Sequence, residues 1–252
     1  MEKIWQTLLD FYENSIKQPF VSSFITDDRW KMLLEGFGNT LLITLLAAII
    51  GIFIGIVVAM IRTTYDNNLE SWSRRGGFGF FVMRVLNRLC KIYLSVFRGT
   101  PVMVQLLIAY LIILSNVDNT LVVATVAFGV NSGAYVAEIM RSGIMSIDRG
   151  QIEAGRSLGF NYAQTMLRIV LPQAFKNTLP PLLNEFIALL KETSVAGYIG
   201  VRDLNKAGEL IRGVSFEIFM PLIAVAAIYL CVVLLLTNLV GKLERRLRRS
   251  DH

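Results

Sequence analysis

The sequence predicts an all-α integral membrane protein with five transmembrane helices, its N-terminus outside and its C-terminus in the cytoplasm. Three observations carry that expectation. Of the 252 residues, 54% are hydrophobic and only 17% charged, against about 25% charged in an ordinary soluble domain. Four long stretches carry no charge at all: 36–61, 99–117, 119–137 and 218–241. Finally, the basic residues fall mostly on alternate loops.

A membrane-crossing helix needs about 20 mostly apolar residues, and a helix satisfies its own backbone hydrogen bonds where no water is available. The charge-free stretches therefore place spans at about 38–61, 92–115, 120–140 and 217–240. A further apolar stretch at about 179–200 is interrupted by Glu185, Lys191 and Glu192. Ahead of the first span, 1–35 has no basic start followed by an unbroken apolar run and is not a signal peptide. Trp5, Leu8, Leu9, Tyr12 and Ile16 recur at helical spacing, which fits either an amphipathic helix at the membrane interface or a packing helix. The 62–91 stretch reads as a long loop, with Asp66-Asn67-Asn68 turn-like and Arg74-Arg75-Gly76-Gly77 loop-like. From Phe78 to Phe97 it resembles an interfacial helix leading into the second span.

Five spans put the termini on opposite sides. The segments 62–91, 141–176 and 242–249 share one side and carry 16 of the 25 basic residues. Basic loops are retained in the cytoplasm, which fixes the expected orientation. The tail from Lys242 to Arg249 then reads as a basic cluster attracted to anionic lipid.

The loop at 141–176 has internal structure. Asp148 precedes Gln151 by three residues, and Asn161 precedes Gln164 by three; both are capping-box spacings. Gly159 stands between them, where a left-handed helix cap favours glycine. The segment reads as a helix at 149–158, a glycine turn, and a helix at 162–170 that runs into Pro172.

The interrupted fourth span carries a polar stripe. Asn184, Glu185, Ala188, Lys191 and Glu192 lie within about 120° of one another around a helix. Charges inside a bilayer face a cavity and pair. Glu185 then either contacts substrate or joins an ion pair, while Lys191 and Glu192 suit structural or gating pairs. Arg98-Gly99-Thr100-Pro101 interrupts the second span, as a broken helix at a transport site or as a simple kink. Asn131-Ser132-Gly133 suits close helix packing. Glu138 and Arg141, three apart, suit an intrahelical ion pair.

The stretch Glu153-Ala154-Gly155, Gly159, Ile169 and Leu171-Pro172 resembles the EAA loop of the permease subunits of bacterial ABC importers. Every fixed position matches except the second Ala, here Gly155. Phe97-Arg98-Gly99-Thr100-Pro101 with Gln105, Ala137-Glu138-Ile139, Arg141-Ser142-Gly143, Gly150-Gln151, Ser157-Leu158-Gly159, Leu179-Pro180-Pro181 and Asn184-Glu185-Phe186-Ile187 are similar to the polar amino acid branch of that family. The resemblance spans roughly 36 to 240. It implies the type I ABC importer transmembrane architecture, with 36–241 as the transmembrane domain and 242–252 as a cytoplasmic tail, in a multi-pass protein of the bacterial cytoplasmic membrane. It implies partners: two cytoplasmic ABC ATPase subunits that hold the ATP and Mg, a second permease subunit (this chain or a paralogue) and an extracytoplasmic substrate-binding protein. The translocated solute would be a polar amino acid, or alternatively a related opine, cystine or amino-acid-like compound. Gln151, Glu153, Ala154, Gly155, Ser157, Leu158 and Gly159 would dock on the ATPase. Glu185, Asn184, Thr100 and Gln105 would line the substrate pathway. Lys191, Glu192, Arg98, Glu138 and Arg141 would be structural or gating residues.

Other classes fit less well. The only histidine is His252 and the only cysteines are Cys90 and Cys231, so neither a histidine base nor a disulfide or metal site is expected. Gly241-Lys242 is followed by Leu243 and lacks the upstream glycine of a phosphate loop, so no ATPase site, bound cofactor or enzyme activity is expected of this chain. The basic excess, placed on membrane loops, does not signal nucleic acid. A secondary transporter or channel is disfavoured by the absence of an internal repeat.

Overall fold

A computed structural model describes residues 5–6, 9, 12–75 and 77–249. Leu8 of the expected amphipathic face, Gly76 of the expected loop and His252 lie outside them. Among the described residues there is no β-strand. A helical segment at 13–25 (α1) leads through a short turn into α2 (Trp30–Arg75). Then come α3 (Phe78–Gly99), α4 (Val102–Ile113), α5 (Thr120–Met145), α6 (Arg149–Ser157) and α7 (162–170). Without a break, α8 (Leu171–Glu192) follows, then a 3-10 turn (Thr193–Ile199), α9 (Leu204–Ser215) and α10 (Phe219–Arg249).

Among the described residues, three helices are long and apolar enough to cross a membrane, at Trp30–Asn67, Thr120–Met145 and Phe219–Leu247. A fourth crossing exists if α3 and α4, bent by 112° at their junction, count as one.

The largest departure from the sequence reading concerns α2. Asp66-Asn67-Asn68 is not a turn: the helix runs 46 residues to Arg75, about 69 Å at 1.5 Å per residue against a hydrocarbon layer of about 30 Å. Of these polar residues, Asn67 has a partner on the loop hairpin. Asn67 Nδ2 donates to the Tyr162 hydroxyl at 2.9 Å, and Tyr65 stacks on Phe80. Arg74 and Arg75, expected in a loop, belong to this helix, and Gly77 beyond it has φ +111°.

The 92–115 span is likewise not one straight helix. It comprises the end of α3 and all of α4, meeting at Thr100-Pro101. Pro172 does not end the loop helix: Met166–Val170 ahead of it is wound as a π-helical turn, and the chain continues through Pro172 into α8. Pro180 and Pro181, expected to open the fourth span, lie inside α8. Residues 242–249 extend α10 as helix. Trp5, Leu9, Tyr12 and Ile16 are all exposed.

The core joins α2, α4, α5 and α8. Ile43, Ala47, Leu106, Val123, Phe128 and Leu189 are buried together. α2 and α5 pack along their length through facing Gly-xxx-Gly pairs, Gly51 with Gly55 and Gly129 with Gly133. A Cβ on Gly55 would collide with Val136 Cγ1, so glycine there sets how closely the helices approach. Asn131-Ser132-Gly133, expected to suit close packing, supplies Gly133 of this contact; Gly51, Gly55 and Gly129 add the four-residue spacings on both helices.

Candidate functional site

Two structures stand out: a capped helical hairpin after α5, and a polar cavity beside it between α5, α8 and α10.

The hairpin is α6 and the start of α7. Asn161 Oδ1 accepts from the Gln164 backbone N–H and Gln164 Oε1 accepts from Asn161 N–H, both at 2.9 Å; this is the full capping box expected from sequence. Asp148 caps α6 differently. Its Oδ1 accepts from Gly150 N–H, so the reciprocal bond expected with Gln151 is replaced by a single one. Gly159 has φ +87°, the left-handed cap that only glycine adopts without strain. Gly155 is buried, and a Cβ there would lie 2.8 Å from Ile169 Cδ1 and 2.9 Å from Thr165 Cγ2. The α6 helix thus closes onto α7 at Gly155. Gln151, Glu153, Ala154, Ser157, Leu158 and Gly159 fall on the hairpin's free side or tip, with Leu158 76% exposed.

The cavity measures about 690 Å³. Arg98, Tyr135, Glu138, Ser142, Pro181 and Glu185 are among its lining residues. Glu185, one turn beyond Pro181 on α8, accepts a hydrogen bond from Ser132 Oγ at 2.8 Å. The Asn131-Ser132-Gly133 step thereby does two jobs: Gly133 admits Ile54 and Tyr93 closely, and Ser132 fixes the carboxylate. Asn184, on the same helix, is exposed and does not line this cavity.

Thr100 and Gln105 close on each other instead. Gln105 Nε2 lies 2.7 Å from Thr100 Oγ1 and 3.0 Å from both the Phe97 and Thr100 carbonyls. Asn131 Nδ2 donates to Gln105 Oε1 at 2.8 Å and to the Phe97 carbonyl at 3.2 Å. These side chains take over carbonyls that a continuous helix would have satisfied, which is how a broken helix persists without water.

Around Glu138 the ion pairing is wider than expected. Arg141 Nη2 lies 2.6 Å from Oε1; Arg62 Nη1 and Arg98 Nη1 lie 3.3 and 3.7 Å from Oε2. Arg98 also sits over the Tyr135 ring. Sequence spacing gave the Arg141 pair, whereas Arg62, 76 residues away, could be found only through the α2–α5 packing. Lys191 is exposed and Glu192 half-buried, and the ion pairs among the described residues include neither.

Long apolar helices, a broken helix over a polar cavity and a rigid capped hairpin define a membrane-embedded transport component. The chain matches the family model described as the binding-protein-dependent transport system inner membrane component over residues 51–249, and it belongs to that family. It is 36% identical over 222 residues to the arginine transport system permease protein ArtQ of Bacillus subtilis, covering 87% of this chain and 94% of ArtQ. It is 36% identical to the L-cystine transport system permease protein TcyB of the same organism, covering 87% and 88%. Among solved structures, that of an amino acid ABC transporter with histidines matches with a TM-score of 0.76 and 35% identity, covering 88% of this chain and 98% of the other. An inward-facing MetNI methionine ABC transporter shares the fold, with a TM-score of 0.69 at 20% identity.

Proposed function

We propose that this chain is the membrane permease of an ATP-driven importer of polar amino acids in the bacterial cytoplasmic membrane. Two copies, or this chain and a paralogue, pair with two cytoplasmic ATPases and an extracytoplasmic binding protein. The relatives named for arginine and cystine support the solute class. ATP is hydrolysed on the partner ATPase, in keeping with the missing phosphate-loop pattern of this sequence.

Five crossings follow if α2, the broken α3–α4, α5, α8 and α10 each traverse the bilayer. The basic loops then set the N-terminus outside and the C-terminus inside, and α9 lies on the outer side. The hairpin at 151–159 docks on the ATPase, and its caps and the Gly155 contact make it a stiff lever. Movement of the ATPase reaches α8 directly, because α7 and α8 are one helical path, and reaches α2 through the Asn67–Tyr162 bond.

The observation that carries the reading is the Glu185 carboxylate, oriented by Ser132 at the edge of the 690 Å³ cavity. An anionic group there attracts the α-ammonium or cationic side chain of an amino acid. In the reconstituted complex, Glu185→Gln should weaken substrate-stimulated ATPase more than basal ATPase; equal retention of both would remove Glu185 from the pathway. Topology is tested by impermeant thiol labels in intact cells on a Cys90→Ser, Cys231→Ser background. Asn116→Cys should label from outside, and Ser157→Cys only after the membrane is opened.

A further inference from the structure

The outer surface of α3 is divided into stripes. Arg84, Arg88, Lys91, Ser95 and Arg98 lie within about 80° of one another at 3.6 residues per turn. Phe81, Val85, Leu89, Ile92 and Val96 form an adjacent exposed apolar stripe. Asn87, Cys90 and Leu94 fill the buried seam. Where the basic stripe meets α2 and α5, a second cavity of about 650 Å³ opens, lined by Arg62, Lys91, Ser95, Arg98, Tyr135 and Glu138.

This cavity holds an excess of positive charge: Arg62, Lys91 and Arg98 line it against the single Glu138 carboxylate. Arg141 already gives Glu138 its shortest contact, leaving the others weakly compensated. The Arg98 pair is the longest at 3.7 Å, and Arg98 is the most exposed of the three arginines at 43%. Arg62 Nε is buried with no hydrogen-bond partner. Lys91 has no ion-pair partner among the described residues. An unmet buried donor and surplus cations beside an apolar stripe match one kind of ligand, an anion carried on acyl chains.

We propose that this cavity binds the phosphate headgroup of an anionic phospholipid of the cytoplasmic leaflet, with Lys91 and Arg98 as its principal contacts and the Phe81–Val96 stripe against its acyl chains. The leaflet assignment rests on the orientation given under Proposed function. The bound phosphate competes with Glu138 for Arg98, and so couples lipid to the junction of α3 and α4.

The test is native mass spectrometry of the full chain from nanodiscs containing phosphatidylglycerol and phosphatidylcholine. The expected result is selective retention of phosphatidylglycerol, reduced about tenfold or more in Lys91→Gln/Arg98→Gln and little changed in Arg84→Gln/Arg88→Gln, which lies on the same stripe outside the cavity. Equal losses in both pairs would mean diffuse surface charge and overturn the site. So would unchanged retention in the first pair, or a cavity that takes inorganic phosphate but no phosphatidylglycerol. Lys91→Gln alone removes no ion pair among the described residues, and should weaken retention even if the double variant folds poorly. Nanodiscs present the lipid in both leaflets, so a wrong orientation leaves binding intact and is read only by the thiol labels.

Discussion

Ser132 on α5 donates to Glu185 on α8 at 2.8 Å, joining the two helices beside the cavity that Glu185 lines. The hydroxyl holds the carboxylate in one rotamer facing the 690 Å³ space. Ser132→Ala removes that restraint and leaves the charge. Substrate KM for ATPase stimulation should rise several-fold, less than in Glu185→Gln, with basal ATPase unchanged. A KM equal to the parent's would show that the bond serves packing alone.

Gly155 stands where the family pattern of this loop places alanine. The structure supplies the reason, since Ile169 and Thr165 already occupy the space of a Cβ. Gly155→Ala should therefore cost about 1–3 kcal/mol of hairpin packing despite the better helix propensity of alanine, seen as a lower Tm and weaker coupled ATPase. Trimming the neighbour with Ile169→Val should restore much of both. A Gly155→Ala variant as stable as the parent would contradict the tight α6–α7 contact.

What could be read from the sequence followed from local chemistry. The capping box at Asn161, the turn at Gly159 and the Glu138–Arg141 pair each depend on residues a few positions apart, and each is present. What could not be read depends on neighbours distant in sequence. Asp66-Asn67-Asn68 resembles a turn until Tyr162, 95 residues away, is seen to hold Asn67 in a continuing helix. The family resemblance implies a pathway role for Thr100 and Gln105, but their hydrogen bonds to each other and to Asn131, 26 positions from Gln105, brace the break between α3 and α4. Ser132 read as a packing residue, and its partner Glu185 lay 53 positions on.

Gln105 is accordingly a structural brace of the α3–α4 junction. Gln105→Leu keeps its size and deletes its contacts with Thr100, Phe97 and Asn131, of which Asn131 is buried and keeps only its bond to the Phe97 carbonyl. A loss of about 1–3 kcal/mol per orphaned group is expected, visible as a large drop in the Tm of the purified protein. Gln105→Glu keeps the acceptor for Asn131 and loses the donor, and should fall between the two. If Gln105→Leu left Tm unchanged but abolished substrate stimulation, the residue would belong to the pathway instead.

Asp203, between α8 and α9, gives the clearest pH dependence. It caps α9, with Oδ1 accepting from Lys206 N–H at 2.8 Å, while its other oxygen, Oδ2, is buried without a partner. Burial pushes the carboxyl up to about 6, against the smaller opposing effects of the Lys206 amide and side chain; Glu209 adds to the rise. In the unfolded chain the group ionises near 3.8. Between these values the folded state holds the proton and the unfolded state does not. The group's contribution is therefore fully present below about 3.8 and lost as pH rises toward 6, costing at most about 3 kcal/mol above it. Asp203→Asn keeps a good helix cap and removes the buried charge. Its Tm should match the parent's near pH 4 and exceed it at pH 7, the difference opening between those values. A Tm difference that does not vary with pH would mean that the buried carboxyl does not titrate in this range.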